Sequence, residues 1–236
     1  MRARGSIRVP RPMRPVHRAK LAAMNLVACS DPHGRLDVAR ALAAATADAA
    51  VCAGDLGDRG RDAIPVLETL AGAARPLLVV SGNHDRLAEL GAFAAARPHV
   101  HLLHGTRVEI EGVAFVGLGC AVALAEPSPS SEWLHEDEAA ALLAPHASCD
   151  VLISHTPPRG TADRHFDGSA GGSVAVREAI ARMRPSLCLC GHVHGSQGVR
   201  ARLGATLVHN LGPAISAYRR AGAPVAGGSR AWRPVR

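Results

Sequence analysis

The sequence predicts an α/β protein, and three observations support this fold class. Between residues 25 and 96, short apolar runs alternate with longer Ala-rich segments, the order expected of strands and their covering helices. Glycine and polar residues follow these runs, so each predicted strand ends in a turn. The chain has 236 residues, of which 47% are hydrophobic and only 3% aromatic, so it can bury a substantial aliphatic core.

The first part of the chain predicts a β-α-β-α-β unit. Three predicted strands alternate with three predicted helices, at residues 26–29, 36–47, 49–53, 61–73, 76–80 and 86–96. This alternation is typical of parallel strands joined by helical crossovers. We expect the fold to begin at Asn25, which leaves Met13 and Met24 as alternative start positions for translation.

The later part of the chain is less regular. Short apolar runs at residues 100–103, 108–110 and 113–117 predict a hairpin-like, more antiparallel section. Residues 132–143 have the apolar spacing of an amphipathic helix, and a second helix is expected after Ser173, which can cap it. Further strands are predicted at residues 151–154, 187–190 and 205–209.

The net charge of +7 is concentrated in the two ends of the chain. Residues 1–20 contain seven Lys or Arg and no acid, and residues 216–236 contain five Arg and no acid. The body keeps 15 Arg against all 20 Asp and Glu, a net charge of −5. We therefore predict a disordered basic extension over residues 1–24, a single folded domain over residues 25–214 and a flexible basic tail over residues 215–236. A nucleic-acid partner is not favoured, because the body lacks an excess of basic residues.

The six cysteines are predicted to be reduced core residues of a cytoplasmic protein. Four of them lie inside apolar strand-like runs, where a free cysteine packs as a small hydrophobic group. Residues 26–29 resemble a lipoprotein cleavage signal, but the apolar stretch before Cys29 is too short for a signal peptide. No run approaches the roughly 18 apolar residues of a membrane helix.

Polar side chains with metal-binding chemistry follow five of the predicted strands. They comprise two carboxylates, one amide and five imidazoles: Asp31, His33, Asp55, Asn83, His84, His155, His192 and His194. Parallel strands of one sheet present such ends at one edge, so we expect the side chains to converge. A mixed nitrogen and oxygen set without sulfur suits Mn, Fe or Zn better than Ca or Mg. Eight groups are too many for one tetrahedral ion and suit two ions about 3.5–4 Å apart, an arrangement used in phosphoryl chemistry.

Five ordered blocks of sequence resemble the calcineurin-like metallophosphoesterases, over most of the chain from Asn25 to Ala214. The blocks are Asp31-x-His33, Gly54-Asp55-x-x-Asp58-Arg59, Gly82-Asn83-His84-Asp85, His155 and Gly191-His192-x-His194. Each block alone is weakly specific, whereas five in order, each after an apolar strand, form a strong signal. The resemblance implies a four-layer sandwich of two mixed β-sheets flanked by helices, holding two divalent metal ions (Mn²⁺ and/or Fe, alternatively Zn²⁺).

The resemblance also implies a role for each matching residue. One metal would be held by Asp31, His33, Asp55 and His194, and the other by Asp55, Asn83, His155 and His192. Asp55 would bridge the ions, and a hydroxide shared between them would attack phosphorus in line.

Three further residues would then assist the reaction. His84 would protonate the leaving oxygen, Asp58 would orient His84, and Arg59 would contact the phosphate. Elementary chemistry agrees with these roles, because imidazole titrates near neutrality, a carboxylate fixes its tautomer and arginine binds phosphate bidentately. For Asp58 and Arg59 the alternative is a structural role in capping and surface ion pairing.

The substrate is expected to be small. Residues 159–172 form a glycine-rich loop in which Arg164 and His165 are candidate substrate contacts, although a solvated loop is the favoured explanation for both. We favour hydrolysis of a phosphodiester of the cyclic-nucleotide or small-molecule type. The alternatives are a phosphomonoesterase or protein phosphatase of the same fold, which the Gly-Asp-x-x-Asp-Arg-Gly block resembles, and a non-catalytic scaffold. The sequence does not predict an oligomeric state.

Overall fold

The computed structural model describes residues 23–122, 131–221 and 231–235. One six-stranded sheet, the first sheet, contains β1 (Met24–Cys29), β2 (Ala49–Cys52), β3 (Leu77–Val79), β4 (Val100–Leu102), β13 (Ser216–Arg220) and β14 (Trp232–Val235). The strands lie in the order β14-β13-β1-β2-β3-β4. The four strands from β1 to β4 are parallel, and β13 and β14 pair antiparallel at one side.

A second six-stranded sheet, the second sheet, contains β5 (Thr106–Ile110), β6 (Val113–Leu118), β9 (Val151–Ser154), β10 (Leu187–Cys190), β11 (Arg200–Leu203) and β12 (Thr206–Asn210). Its order is β11-β12-β10-β9-β6-β5. Strands β6, β9, β10 and β12 are parallel, and an antiparallel hairpin partner flanks them on each side. A separate short ribbon pairs β7 (Ala121–Val122) with β8 (Trp133–Leu134).

Five helices complete the fold: α1 (Leu36–Ala44), α2 (Ala63–Ala71), α3 (Leu87–Ala95), α4 (Glu136–Leu143) and α5 (Val174–Met183). The alternation of side chains along a strand assigns them to layers. In β1, Leu26 and Ala28 join the apolar core between the two sheets, whereas Val27 and Cys29 pack with α1, α2 and α3. The outer face of the second sheet packs on α4 and α5. The predicted four-layer α/β sandwich is confirmed.

The expectation of a flexible tail from residue 215 is wrong for the described part of that segment. Strand β13 pairs with β1, and β14 pairs with β13, so both extend the first sheet. Tyr218 and Trp232 are buried in the central core, and the guanidinium of Arg220 lies 2.6 Å from an Asp150 oxygen. The basic composition was misleading, because an arginine in this segment is a buried ion-pair partner. Residues 222–230 and 236 of the predicted tail lie outside the described residues.

The start of the chain differs slightly from the prediction. Residues 1–22 of the expected extension lie outside the described residues, but Met24 already belongs to β1 and pairs with Arg220. The buried Met24 side chain packs in the central core, so β1 begins two residues before the predicted strand and one residue before the predicted domain.

Two further elements depart from the sequence predictions. Residues 100–103, expected in an antiparallel section, contain β4, which pairs parallel with β3. The helix predicted from residue 132 begins only at Glu136, because the Glu138 carboxylate accepts the His135 backbone N–H at 2.7 Å and caps the helix there. Trp133 and Leu134 pair instead with β7. The expected cap by Ser173 is confirmed, since its hydroxyl accepts the Val176 N–H at 3.1 Å.

Candidate metal centre

The predicted ligands gather where strands of both sheets end, and not at the edge of a single sheet. Asp31 and His33 follow β1, Asp55 follows β2, and Asn83 and His84 follow β3 in the first sheet. His155 is the residue after β9, and His192 and His194 follow β10 in the second sheet. Convergence therefore depends on the two sheets facing each other across the central core. This corrects the expectation that one sheet edge would collect them all.

Several of these residues adopt a backbone conformation that is rare for residues with a side chain. Asp31, His33, Asp55 and His192 have φ angles of 54°, 46°, 52° and 67°. Left-handed backbone is tolerated best by Asn, Asp and His outside glycine, and it occurs often at functional sites. Each of these residues lies just beyond a strand end, where the left-handed conformation changes the direction of the chain.

Two glycines allow the loops of the two sheets to meet. A Cβ atom at Gly54 would lie 2.5 Å from the Nδ1 atom of His155, on the opposite sheet. A Cβ atom at Gly191 would overlap the side chains of Ser30 and Asp31. Both positions therefore require a residue without a side chain, which explains the glycine in each block.

One group of potential ligand atoms comprises Asp31, His33 and His194, whose ligand atoms lie within 4.8 Å of one another. The Nε2 atoms of the two histidines are 3.3 Å apart, and His194 Nε2 is 3.7 Å from Asp31 Oδ1. The Asp31 carboxylate is held by the Ser30 hydroxyl, which donates to Oδ2 at 2.6 Å, and by the backbone N–H of His192 at 3.0 Å. Three potential ligands thus point at one small volume.

A second group comprises Asp31, Asp55 and His155. His155 Nε2 lies 3.5 Å from Asp55 Oδ2 and 3.2 Å from Asn83 Oδ1. Asp31 is common to both groups. Asp55 Oδ2 is also 3.8 Å from His33 Nε2, a member of the first group, so both carboxylates lie near both groups.

The predicted ligand His192 belongs to neither group. Its ring packs 5.0 Å from the His155 ring and 5.9 Å from Trp133, measured between ring centroids. The ring nevertheless borders the second group through His155.

The histidine orientations fit metal binding. The Nδ1 atom of His33 is 3.3 Å from the Gly57 carbonyl oxygen, and Nδ1 of His155 is 2.8 Å from the Ala53 carbonyl oxygen. A histidine that donates its Nδ1–H to a backbone carbonyl presents an unprotonated Nε2 atom to a metal. In both residues Nε2 is the atom that faces the carboxylates.

Burial and charge shift the pKa values of these groups strongly. Burial raises the pKa of Asp55, but the charge and hydrogen bond of His155 outweigh it and hold that pKa well below its ordinary value. Burial also raises the pKa of Asp31, and its hydrogen bond with His194 and the His155 charge lower it overall. Burial lowers the pKa of His155, but Asp55 and Asp31 raise it to about 9. Both carboxylates are therefore ionised at neutral pH.

His192 shifts in the opposite direction. Burial and the neighbouring positive His155 lower the pKa of His192 to about 3, so its imidazole is neutral and able to coordinate a metal. The hydrogen bond with Asp31 raises the pKa of the half-exposed His194.

The two buried carboxylates lack a permanent cation. Among the described residues, the ion-pair partners of Asp31 and Asp55 are histidine rings, and no Lys or Arg reaches either of them. Buried anions need a counter-charge, because burying an unpaired charge is costly. Two divalent ions would supply that charge, and the donor set of carboxylate, amide and imidazole suits Mn, Fe or Zn.

His84 and Asp58 form a pair beside this centre. Nδ1 of His84 is 3.0 Å from Asp58 Oδ1, and the His84 ring is 5.1 Å from the His33 ring. The backbone N–H of Arg59 also points at His84 Nδ1, at 3.1 Å. An unprotonated Nδ1 atom accepts this N–H, whereas a protonated Nδ1 atom donates its hydrogen to Asp58. The His84 backbone N–H donates to Asp55 Oδ1 at 2.8 Å, which ties the pair to the ligands. His33, Asp58 and His84 themselves form a third cluster of potential ligand atoms.

The three arginine and histidine residues predicted to contact substrate have different surroundings. Arg59 is exposed, and in the described part of the chain its guanidinium has no hydrogen-bond or ion-pair partner. The Arg164 guanidinium instead donates to the Gly168 carbonyl at 2.9 Å, within its own loop. The His165 ring packs against Gly171, and its charge contributes to the low pKa of His192.

Sequence reasoning missed the role of Asp85. Its buried carboxylate accepts backbone N–H groups from Leu56 at 3.2 Å, Gly57 at 2.9 Å and Gly82 at 2.8 Å. It therefore holds the loop after β2 against the loop after β3. Burial and the Asp55 charge raise the pKa of Asp85 to about 7. Its position directly after Asn83 and His84 was a signal, but its partners Gly57 and Leu56 lie 28 and 29 residues away in sequence.

The fold is similar to that of several solved structures. The protein TT1561 of Thermus thermophilus is 24% identical, with a TM-score of 0.64 over 81% of this chain and 90% of that chain. The GAP50 anchor in the inner membrane complex of Plasmodium is 9% identical, with a TM-score of 0.55 over 91% and 89% of the two chains. A dimetal phosphatase from Danio rerio is 14% identical, with a TM-score of 0.53 over 82% and 91%. These similarities establish the fold.

The sequence itself establishes the family. No curated protein matches it significantly. The family model for calcineurin-like phosphoesterases matches residues 24–196, which include every predicted metal ligand and the His84–Asp58 pair. The chain therefore belongs to the calcineurin-like phosphoesterase family and is a metal-dependent phosphoric ester hydrolase.

Proposed function

We propose that the protein hydrolyses a small phosphodiester, with Asp31, His33, Asp55 and His194 holding one metal ion and Asp55, Asn83, His155 and His192 holding the other. The family implies two divalent ions. The observation that carries the proposal is the pair of buried carboxylates facing the Nε2 atoms of histidine side chains, beside the His84–Asp58 pair. When bound, two such ions acidify a coordinated water and offset the charge of the phosphoryl group. From the donor chemistry we propose Mn²⁺ or Fe, with Zn²⁺ as the alternative.

His84 is proposed to donate a proton to the leaving oxygen. With the Nδ1 proton donated to Asp58 at 3.0 Å, the opposite nitrogen Nε2 is the one available to the substrate. The His84 side chain is partly exposed, so an ester oxygen can approach it. General acid catalysis of this kind contributes typically about 10²- to 10⁴-fold to the rate.

Arg59 is proposed to bind a non-bridging phosphate oxygen. Its exposed guanidinium has no partner among the described residues, and arginine binds phosphate oxygens bidentately. Arg164 is less suited to this role, because it already bonds to Gly168. One free guanidinium beside the site favours a singly charged diester over a doubly charged monoester. The alternatives are a phosphomonoesterase or protein phosphatase of the same fold and a non-catalytic scaffold.

One assay separates these possibilities. Protein reconstituted with Mn²⁺ is incubated with bis-p-nitrophenyl phosphate, a diester, and with p-nitrophenyl phosphate, a monoester. Turnover of the diester alone is expected. Preference for the monoester would favour the phosphomonoesterase, and no turnover of either ester by protein shown to contain metal would favour the scaffold.

We also propose a cytoplasmic location. All six cysteines are buried and free, and burial raises the pKa of Cys120 to about 11, so its thiol is unreactive. Free thiols persist in a reducing compartment. Among the described residues, no helix is long and apolar enough to cross a membrane. Alkylation of protein isolated under native and denaturing conditions would test this, since six free thiols are expected after denaturation.

A further inference from the structure

A small hairpin lies beside the turn that carries His194. Arg164 and Ala170 pair across it, and the His165 backbone N–H donates to the Ser169 carbonyl at 2.9 Å. The hydroxyl of Ser196 accepts the Arg164 N–H at 2.8 Å and donates to the Arg164 carbonyl at 3.0 Å. Because Ser196 is two residues from His194, these bonds hold the hairpin (residues 164–170) to the metal-binding turn.

Gly195 allows this close approach. A Cβ atom at Gly195 would lie 2.6 Å from the Arg164 carbonyl oxygen, the His165 carbonyl carbon and the Phe166 backbone nitrogen. The hairpin backbone therefore rests directly on the residue after His194. Any side chain at its tip is presented beside the metal centre from a supported backbone.

The side chain at that tip is Phe166, which is 88% exposed. The other large exposed apolar side chains in the described part of the chain are valines, which are at most half exposed. The chain contains only three phenylalanines, and Phe93 and Phe115 are buried in the core. Single exposed apolar residues are common on protein surfaces. An almost fully exposed aromatic ring on a hydrogen-bonded hairpin next to a catalytic centre, however, is placed to contact what binds there.

We propose that Phe166 is a specificity-determining residue that stacks on a planar aromatic group of the substrate, such as a nucleobase. This inference rests on the proposed diesterase function. Phenylalanine offers a flat apolar face, and aromatic rings stack on any nucleobase. Stacking on one aromatic side chain changes base binding by about 5- to 150-fold when that side chain is replaced by alanine. The residue is expected to distinguish an aromatic ester from an alkyl ester and to leave the chemical step unchanged.

The test compares two diesters with the same leaving group. Thymidine 5′-(p-nitrophenyl phosphate) carries a nucleobase on the ester that stays, and methyl p-nitrophenyl phosphate carries only a methyl group. Phe166→Ala is expected to lower kcat/KM for the thymidine ester by about 5- to 150-fold, mainly through KM, and to leave kcat/KM for the methyl ester within about twofold.

Two further variants serve as comparisons. Phe166→Trp should retain the preference for the thymidine ester. Val235→Ala, which removes a 49% exposed apolar side chain on β14 of the first sheet, is the matched control and should change neither ester. Equal loss on both esters, or no loss on either, would overturn the proposal.

A binding measurement separates this inference from the proposed function. Calorimetry with Mn²⁺-loaded protein compares thymidine 5′-phosphate with methyl phosphate, so it needs no turnover. Tighter binding of the thymidine compound by the wild type, lost in Phe166→Ala, would support the stacking role even if neither diester is hydrolysed. Equal affinity of the wild type for the two compounds would overturn it even if both diesters are hydrolysed.

Discussion

The two sheets contribute different chemistry to the same centre. The loops of the first sheet supply both carboxylates, the Asn83 amide and the His84–Asp58 pair. The loops of the second sheet supply three imidazoles, from His155, His192 and His194, together with the hairpin that carries Phe166. The negative charge that attracts cations thus belongs to the first sheet. The second sheet offers imidazole nitrogens as further potential ligands, and its hairpin is proposed to contact the substrate.

The largest effect should come from removing charge on the first sheet. Asp55→Asn is expected to lower kcat/KM by more than about 10³-fold and to reduce bound metal, because this carboxylate lies 3.8 Å from His33 and 3.5 Å from His155, one histidine of each group. On the second sheet, His194→Asn should cost less, about 10- to 100-fold, since its 46% exposed side chain can be replaced by water. Kinetics and elemental analysis of metal content measure both effects. Asp48→Asn, which changes an exposed carboxylate bonded to Asn25, is the control. Equal losses of kcat/KM and bound metal in the two site variants would contradict the proposed difference between the sheets.

The next largest effect concerns the acid on the first sheet. His84→Ala should keep the metal but lower kcat by about 10²- to 10⁴-fold on diesters with poor alkoxide leaving groups. The loss should be much smaller with p-nitrophenolate, which leaves without a proton. A leaving-group series for the variant and the wild type provides the measurement. Parallel losses across the series would argue against His84 as the acid.

The third prediction tests whether the C-terminal strands are part of the first sheet. Trp232→Ala is expected to lower the free energy of unfolding by about 3 kcal/mol or more, because the ring is 3% exposed in the central core. Arg233→Ala, at the exposed neighbouring position, should change it by less than about 0.5 kcal/mol. Urea denaturation of both variants gives the comparison. A similarly small change in the free energy of unfolding of both variants would favour the flexible tail that the sequence predicted.

The smallest effect is a pH dependence of metal binding, which involves carboxylates of the first sheet and His155 of the second. In the metal-free protein, Asp55 and Asp31 raise the pKa of His155 to about 9, whereas metal binding requires the neutral imidazole. Below pH 9, metal binding must therefore release a proton from His155. This requirement alone should weaken the affinity for the metal by about tenfold for each unit that the pH falls below 9. Calorimetric titration with Mn²⁺ at pH 7 in buffers of different ionisation enthalpy should detect this release. His155→Gln should abolish that contribution, and His146→Gln, whose ring bonds to the Gly105 carbonyl, should leave it intact. Metal binding without proton release would contradict the prediction.

The sequence predicted which polar side chains follow the strands, because the signals for strand ends are local. An apolar run followed by glycine and a polar residue identifies a strand end without knowledge of the rest of the chain. It did not predict which sheet each strand would join, so it expected a single sheet edge. It also missed β11, and it assigned Trp133 and Leu134 to a helix, because ribbon pairing with β7 depends on contacts distant in sequence.

The segment after residue 215 is a second case in which local sequence does not predict the tertiary contacts. Its composition is basic and rich in glycine and proline, which is typical of a flexible end. Its alternating side chains nevertheless place Tyr218 and Arg220 inward, and Asp150 of the second sheet provides the partner for the arginine. A buried ion pair cannot be recognised from one of its members.

The sequence by itself determined the α/β class, the order of the five blocks and the identity of the side chains at the strand ends. Those features depend on local periodicity and on residue chemistry. Only the tertiary structure decided that potential ligands from two sheets meet, that Asp31 is common to two groups of them, that Asp85 joins two loops and that Phe166 stands exposed on the hairpin beside the His194 turn. These features arise where distant segments approach closely, and burial and charge there alter the properties that each residue has alone.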